Sequence, residues 1–154
     1  MGSVFGLSNT TGGPTPLVIT GRTFNFTPNG TFGQFIPAVT SADVVGKGDR
    51  GLQILQAEDS VRYRTNLGIA VVTGKPATVE VRVILPDTKI SPSTQIPIPA
   101  NGLVQMPVIQ SLGLSNVYNA RISLRVVDGD GKISAYRSVI DQITQAPTYI
   151  PAQK

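Results

Sequence analysis

The residues that come nearest to a chemical motif in this chain are two acidic pairs. The first is Asp128 and Asp130, which alternate with glycines as in half of a calcium loop. Calcium takes about six to eight oxygen ligands, and the closing glutamate of an EF-hand is missing, so we interpret this stretch as a turn. Asp-Gly pairs are typical of tight turns between strands. We therefore expect no metal site and no cofactor.

Glu58 and Asp59 form the second acidic pair, just ahead of Arg62 and Arg64. A glycosidase needs two carboxyl groups that face each other across about 5 to 9.5 Å. Adjacent residues in a turn point away from each other. We expect these carboxylates to pair with the nearby arginines rather than to carry out acid–base chemistry.

The composition excludes most other catalytic chemistry. The chain has no Cys and no His, which removes the thiolate nucleophile, the commonest general base and the commonest transition-metal ligand. No serine lies in a Gly-x-Ser-x-Gly motif. We predict that the protein is not an enzyme.

Three hydrogen-bonding side chains form a candidate polar patch, and these are Arg64, Asn66 and Arg137. They lie on predicted strands next to apolar positions. The alternative is that an arginine in such a place covers a sheet edge or binds the carbonyl groups of a crossing loop. Asp141 is the expected partner of Arg64 or Arg137.

The net charge of +4 comes from thirteen Lys and Arg residues that are scattered singly along the chain. No basic cluster alternates with aromatic residues, so we expect no nucleic-acid partner. No apolar run approaches the roughly twenty residues needed to cross a bilayer, so we expect no membrane insertion. The first residues have neither the basic start nor the apolar run of a signal peptide.

Alternating side chains predict the strands that must position these groups. Residues 77–85 and 119–127 alternate with a period of two, and their inward positions are Val79, Val81, Val83, Ile122, Leu124 and Val126. Prolines and glycines separate such runs, and residues 107–113 suit one helical turn. About nine short strands predict an all-β, antiparallel, immunoglobulin-like sandwich with at most one short helical turn.

One sequence pattern occurs twice, at residues 30–38 (GTFGQFIPA) and at residues 145–152 (QAPTYIPA). Ile36 and Ile150 lie 114 residues apart, and the arginines that precede them, Arg22 and Arg137, lie 115 apart. A period of this length corresponds to one β-sandwich domain. We predict that residues 1–38 are the terminal strands of a preceding repeat, 39–50 a linker and 51–154 a complete domain.

Residues 64–70 (RTNLGIA), 98–102 (IPANG) and 136–152 resemble the C-terminal tandem β-sandwich repeats of large secreted bacterial proteins. The segment 22–38 is similar to the end of the penultimate repeat in that family. The resemblance covers nearly the whole chain from Pro16 onward. It implies an extracellular or cell-surface location, and it carries no catalytic residues.

The early hairpin, with a first strand from Pro16 to Phe26, is the candidate assembly element because a two-stranded hairpin alone is marginally stable in water. Its candidate residues are Phe24, Phe26, Phe32, Phe35 and Ile36. We expect it to dock on its own domain or to join another copy of the chain by strand exchange, giving a dimer or a filament.

The sequence thus predicts a non-catalytic extracellular structural or adhesion module that associates with other copies of itself. The alternative is a carbohydrate- or surface-binding module of a secreted enzyme, with extracellular polysaccharide as its partner. The chain has no Trp, and we expect the phenylalanines to pack in a core rather than to form a sugar platform.

Overall fold

Two four-stranded antiparallel sheets form most of the protein. The structure is a computed structural model, and it describes residues 19–28, 30–86, 88–89 and 91–154. The beginning of the predicted first strand, before Ile19, lies outside the described residues. In chain order the elements are β1 (Thr20–Thr27), β2 (Gly30–Pro37), β3 (Leu52–Asp59), β4 (Tyr63–Val71), β5 (Ala77–Ile84), β6 (Ser93–Ile98), β7 (Leu103–Met106), α1 (Val108–Ser111), β8 (Val117–Gly129), β9 (Ile133–Asp141) and β10 (Pro147–Pro151).

The strand order confirms the predicted sandwich. One sheet has the order β10-β9-β4-β7 and the other β3-β8-β5-β6, while β1 and β2 form a separate two-stranded sheet. The trios β10-β9-β4 and β3-β8-β5 correspond to strands G-F-C and B-E-D of immunoglobulin-like domains. The connection from β8 to β9 passes from one sheet to the other. Asp128 and Gly129 are the last two residues of β8, and Asp130 lies in the connection that follows. The prediction of a tight turn between paired strands at this stretch is therefore wrong.

The core lies between the two sheets and consists of the inward positions of their alternating strands. The prediction of which side chains of β5 and β8 point inward is confirmed, because all six predicted inward residues are buried. On the other sheet, Leu67, Ile69 and Val71 of β4 and Ile133 of β9 are buried as well. Burial of each aliphatic side chain stabilises such a core by about 1.5 to 3 kcal/mol.

The core begins before the predicted domain start at residue 51. Val44 and Val45 are buried, and Val45 exchanges two backbone hydrogen bonds with Ile133, at 3.0 and 2.8 Å. Residues 39–50, predicted as a linker, thus contribute Val45 to the core of the sandwich. A segment that pairs through a single bridge is too short to show alternating apolar and polar residues, so its sequence carries no recognisable strand pattern.

The only helix in the described part of the chain, α1, has four residues. It follows Pro107, and its residues Val108 and Ile109 are buried. This agrees with the single helical turn predicted for residues 107–113. No helix among the described residues has the length and apolar character required to cross a bilayer.

The two copies of the repeated ending form similar hairpins that differ in register. Arg137 of β9 lies opposite Ile150 of β10, whereas Arg22 of β1 lies opposite Phe35 of β2. The segment from Arg22 to Ile36 has one residue more than the segment from Arg137 to Ile150. A shift of one residue turns the side chains of a strand to the other face. When Arg22 is aligned with Arg137, equivalent residues of β1 and β9 point to the same side of their hairpins. Equivalent residues of β2 and β10, such as Ile36 and Ile150, then point to opposite sides.

Candidate functional site

One face of the β1–β2 hairpin presents three phenylalanines to solvent. Arg22 lies opposite Phe35 in the antiparallel pair, and Phe24 lies opposite Gly33. Directly opposite residues point to the same side, so Phe24, Phe26 and Phe35 share one face. Their exposed fractions are 66, 82 and 58%. We call these three residues the phenylalanine face. The expectation that the phenylalanines pack in a core is wrong for these three.

Gly33 allows the two strands of the hairpin to pair beside Phe24. A Cβ atom at this position would lie 2.2 Å from the carbonyl oxygen of Thr23 and 2.9 Å from Cβ of Phe24. Any larger residue would push the strands apart. The glycine in the pattern GTFGQF is therefore a packing requirement of this hairpin.

The opposite face of the hairpin packs on the sandwich of its own chain. Phe32, Gln34 and Ile36 are half-buried there, and β2 contacts β10. The Ser138 hydroxyl on β9 donates a hydrogen bond of 3.0 Å to Oε1 of Gln34. The five candidate assembly residues thus divide into two that pack on the sandwich, Phe32 and Ile36, and the three of the phenylalanine face.

The structure does not bring the candidate polar patch together on one face. Asn66 lies opposite Ser138, on the outer face of the sheet that the hairpin partly covers. Arg64 is two residues away on the same strand and shares that face. Arg137 lies opposite Leu67, which is fully buried, and therefore points between the two sheets.

Arg137 binds the backbone across the sandwich. Its side chain is only 7% exposed, and one terminal nitrogen donates to the carbonyl oxygen of Gln56. Gln56 has a positive φ of 55° at an irregularity in the pairing of β3 with β8. Burial lowers the pKa of the Arg137 guanidinium, and its Nε has no hydrogen-bond partner among the described residues. This is the alternative that the sequence left open, an arginine bound to a carbonyl of a crossing segment.

The expected partners of the acidic residues near β4 differ from those observed. Glu58 accepts a hydrogen bond from the Ser60 hydroxyl at 2.7 Å, and Asp59 accepts one from Nε2 of Gln110 at 3.3 Å. Asp141 forms its ion pair with Arg62, at 3.4 Å, rather than with Arg64 or Arg137. The predicted arginine partners of both acidic sites were therefore wrong. Hydrogen bonds from the backbone of Ile143 and Thr144, together with the charge of Arg62, lower the pKa of Asp141.

Asp128 and Asp130, the first acidic pair of the sequence, form exposed ion pairs. Asp128 pairs with Lys47 at 3.1 Å, and Asp130 pairs with Lys75 at 3.4 Å. The hydrogen bond from Lys47 lowers the pKa of Asp128. Among the described residues, no three acidic side chains come close enough together to hold a metal ion.

A cleft of about 380 Å³ lies where the segment after β2 meets the end of the sandwich. Its lining includes Tyr149, Ser134, Asp43 and Lys154. Tyr149 stacks on Tyr136 with ring centroids 4.9 Å apart, and burial raises the pKa of both phenols. The sequence did not identify this cleft, because Asp43 and Lys154 carry no motif and meet only in the folded chain.

The polar groups of this cleft are already partly used. The backbone N–H and the hydroxyl of Thr40 donate to the Asp43 carboxylate at 3.1 and 2.6 Å, and these bonds lower the pKa of Asp43. Lys154 donates to the carbonyl oxygen of Ala42. Among the described residues, the hydroxyl groups of Tyr149 and Ser134 form no hydrogen bond, so the cleft presents an aromatic ring and two hydroxyl groups without partners.

No protein-family model, curated protein or solved structure matches this chain.

Proposed function

We propose that this protein is a non-catalytic structural or adhesion module of an extracellular protein. It associates through its β1–β2 hairpin with other β-sandwiches of the same kind, including copies of itself. The observation that carries the proposal is the phenylalanine face. Three aromatic rings exposed on one side of a two-stranded hairpin are unusual on a protein that has no partner.

The geometry of the hairpin supports this role. One face is held on the sandwich by β10 and by the Ser138–Gln34 hydrogen bond, so the phenylalanine face is presented outward in a fixed orientation. A preorganised surface loses less conformational entropy when it binds. Each phenylalanine ring that becomes fully buried adds about 1.5 to 3 kcal/mol before the entropy of association is subtracted.

Self-association of the isolated chain tests this proposal. We expect light scattering to give a mass that rises with protein concentration, because the uncovered phenylalanine faces pack against each other. The triple variant Phe24→Ser, Phe26→Ser, Phe35→Ser should stay monomeric with a similar thermal midpoint. The matched control is Leu55→Ser, Val61→Ser, Ile143→Ser, which removes three apolar residues that are also more than half exposed, elsewhere on the molecule. A wild-type chain that is monomeric at every concentration would count against the proposal.

The alternative function, binding of extracellular polysaccharide, is favoured by the cleft beside Tyr149. Its volume of about 380 Å³ suits one or two sugar rings, and an aromatic ring with nearby hydroxyl groups is the usual chemistry of a sugar subsite. In affinity electrophoresis through polysaccharide gels we expect no retardation of the wild-type chain. Retardation that disappears in Tyr149→Ala, but not in the exposed control Tyr118→Ala, would support the alternative instead.

A further inference from the structure

The second edge of β1, which is unpaired among the described residues, differs from the edge strands of the two four-stranded sheets. Edge strands of natural proteins carry features that prevent the addition of another strand, such as prolines, bulges or a short length. β6 contains Pro97, β10 begins and ends with proline, β7 has four residues, and β3 has an irregular register next to Gln56. β1 has eight residues (TGRTFNFT), none of them proline, and it pairs with β2 alone among the described residues.

The repeated sequence indicates which kind of strand would pair with the second edge of β1. Its counterpart, β9, is paired on both sides, with β10 on one edge and with β4 on the other. The pairing with β4 runs over nine residues, from Tyr63 to Val71, with Leu67 opposite Arg137. Because Arg22 corresponds to Arg137, the open edge of β1 is the place that a β4-type strand takes in the complete domain.

The faces of the two strands agree with this placement. If the leucine equivalent to Leu67 lies opposite Arg22, the equivalents of Thr65 and Ile69 lie opposite Phe24 and Thr20. Leu67 and Ile69 are the inward, buried residues of β4. In the added strand, the equivalents of Leu67 and Ile69 would lie on the same side as the phenylalanine face and would extend it by one strand. A register different by one residue would instead put them on the face that packs on the sandwich.

We infer that the free edge of β1 is an acceptor for an extended strand of the β4 type, supplied by the remainder of the repeat to which this hairpin belongs, with the leucine equivalent to Leu67 opposite Arg22. This rests on the proposed function, in which the hairpin joins sandwiches of one kind. A second copy of this chain is a poorer source of that strand. Its own β4 is already paired with β9 and β7.

The probe is a synthetic peptide with the sequence of Tyr63–Val71, added to the whole chain at a concentration where light scattering gives a monomer. At ten times the dissociation constant, we expect the amides of β1 that face the free edge to exchange with deuterium about tenfold more slowly. Cross-strand contacts in nuclear magnetic resonance spectra should place the peptide leucine beside Arg22. A control peptide with aspartate in place of that leucine and of the isoleucine should give no protection.

Two variants of the chain make the test specific. Phe24→Asp places a charge beside the added strand and should abolish protection by the peptide. Leu55→Asp changes a residue that is 60% exposed on β3, and it should leave protection intact. Since both residues are exposed, neither variant is expected to disturb folding of the sandwich.

Three outcomes would overturn the inference. The first is that exchange rates in β1 do not change when the peptide is added, and the second is that the control peptide gives equal protection. The third is that the β1 amides are already protected in a dimer without peptide, because a second copy of the chain would then occupy the edge. If the peptide fails while self-association still depends on the phenylalanine face, the strand assignment is wrong and the proposed function stands. If self-association is also absent, both are wrong.

Discussion

Replacing Val81 with aspartate is expected to destabilise the sandwich by about 4 kcal/mol or more. Val81 is fully buried in the middle of β5, opposite Leu124 on one side and Thr94 on the other. A carboxylate at this position would lie between the two sheets without a hydrogen-bond donor or a counter-charge. Chemical denaturation followed by circular dichroism measures the change in the free energy of unfolding.

The adjacent residue is the matched control. Arg82 points to the other face of β5 and pairs with Glu80 at 3.0 Å on the half-exposed surface. Surface ion pairs contribute about 0 to 1 kcal/mol, so Arg82→Ala should change the free energy of unfolding by no more than that. Equal losses in the two variants would mean that the inward and outward faces of β5 have been exchanged.

Truncation of Arg137 is expected to have the second largest effect. Arg137→Ala should lower the free energy of unfolding by about 2 to 4 kcal/mol, because it removes the buried stem of the side chain and leaves the Gln56 carbonyl without its donor. Arg137→Met keeps the apolar stem and avoids the desolvation of a charge, so it should cost about 1 to 2 kcal/mol less than alanine.

The comparison of the two substitutions distinguishes packing from hydrogen bonding at this site. If methionine destabilises as much as alanine, the bond to Gln56 provides the stabilisation and the stem contributes little. A substitution elsewhere on the same strand but on the outer face, Ser134→Ala, is the control and should be nearly neutral, because Ser134 lies at the edge of the cleft and outside the core.

Much of the fold follows from side-chain alternation. A period of two identifies the inward residues of β5 and β8, and the proline and glycine at the ends of residues 107–113 correctly predict the single helical turn. These features are local, so the sequence contains them. Val45 is buried at a single bridge to Ile133, and such a bridge has no periodicity to detect.

The candidate site was harder to predict because it depends on pairing register. The sequence identifies Arg64, Asn66 and Arg137 as polar residues on strands, but only the pairing of Leu67 with Arg137 determines that Arg137 points inward. In the same way, five apolar hairpin residues predict that the hairpin docks on its own domain or on another copy of the chain. The pairing of Phe24 with Gly33 decides which of them face the sandwich and which face solvent.

The central strand pairs of both sheets join segments that are distant in the chain, and this affects how the protein folds. Leu67 pairs with Arg137, and Leu52 pairs with Leu124, so each pairing closes a loop of about seventy residues. The entropy of loop closure is lost before such contacts form, and chains with this topology usually fold in milliseconds to seconds. During synthesis, one sheet is incomplete until β8 has left the ribosome, and the other until β9 and β10 have left it. The valine-rich strand β5 remains open to aggregation until β8 pairs with it.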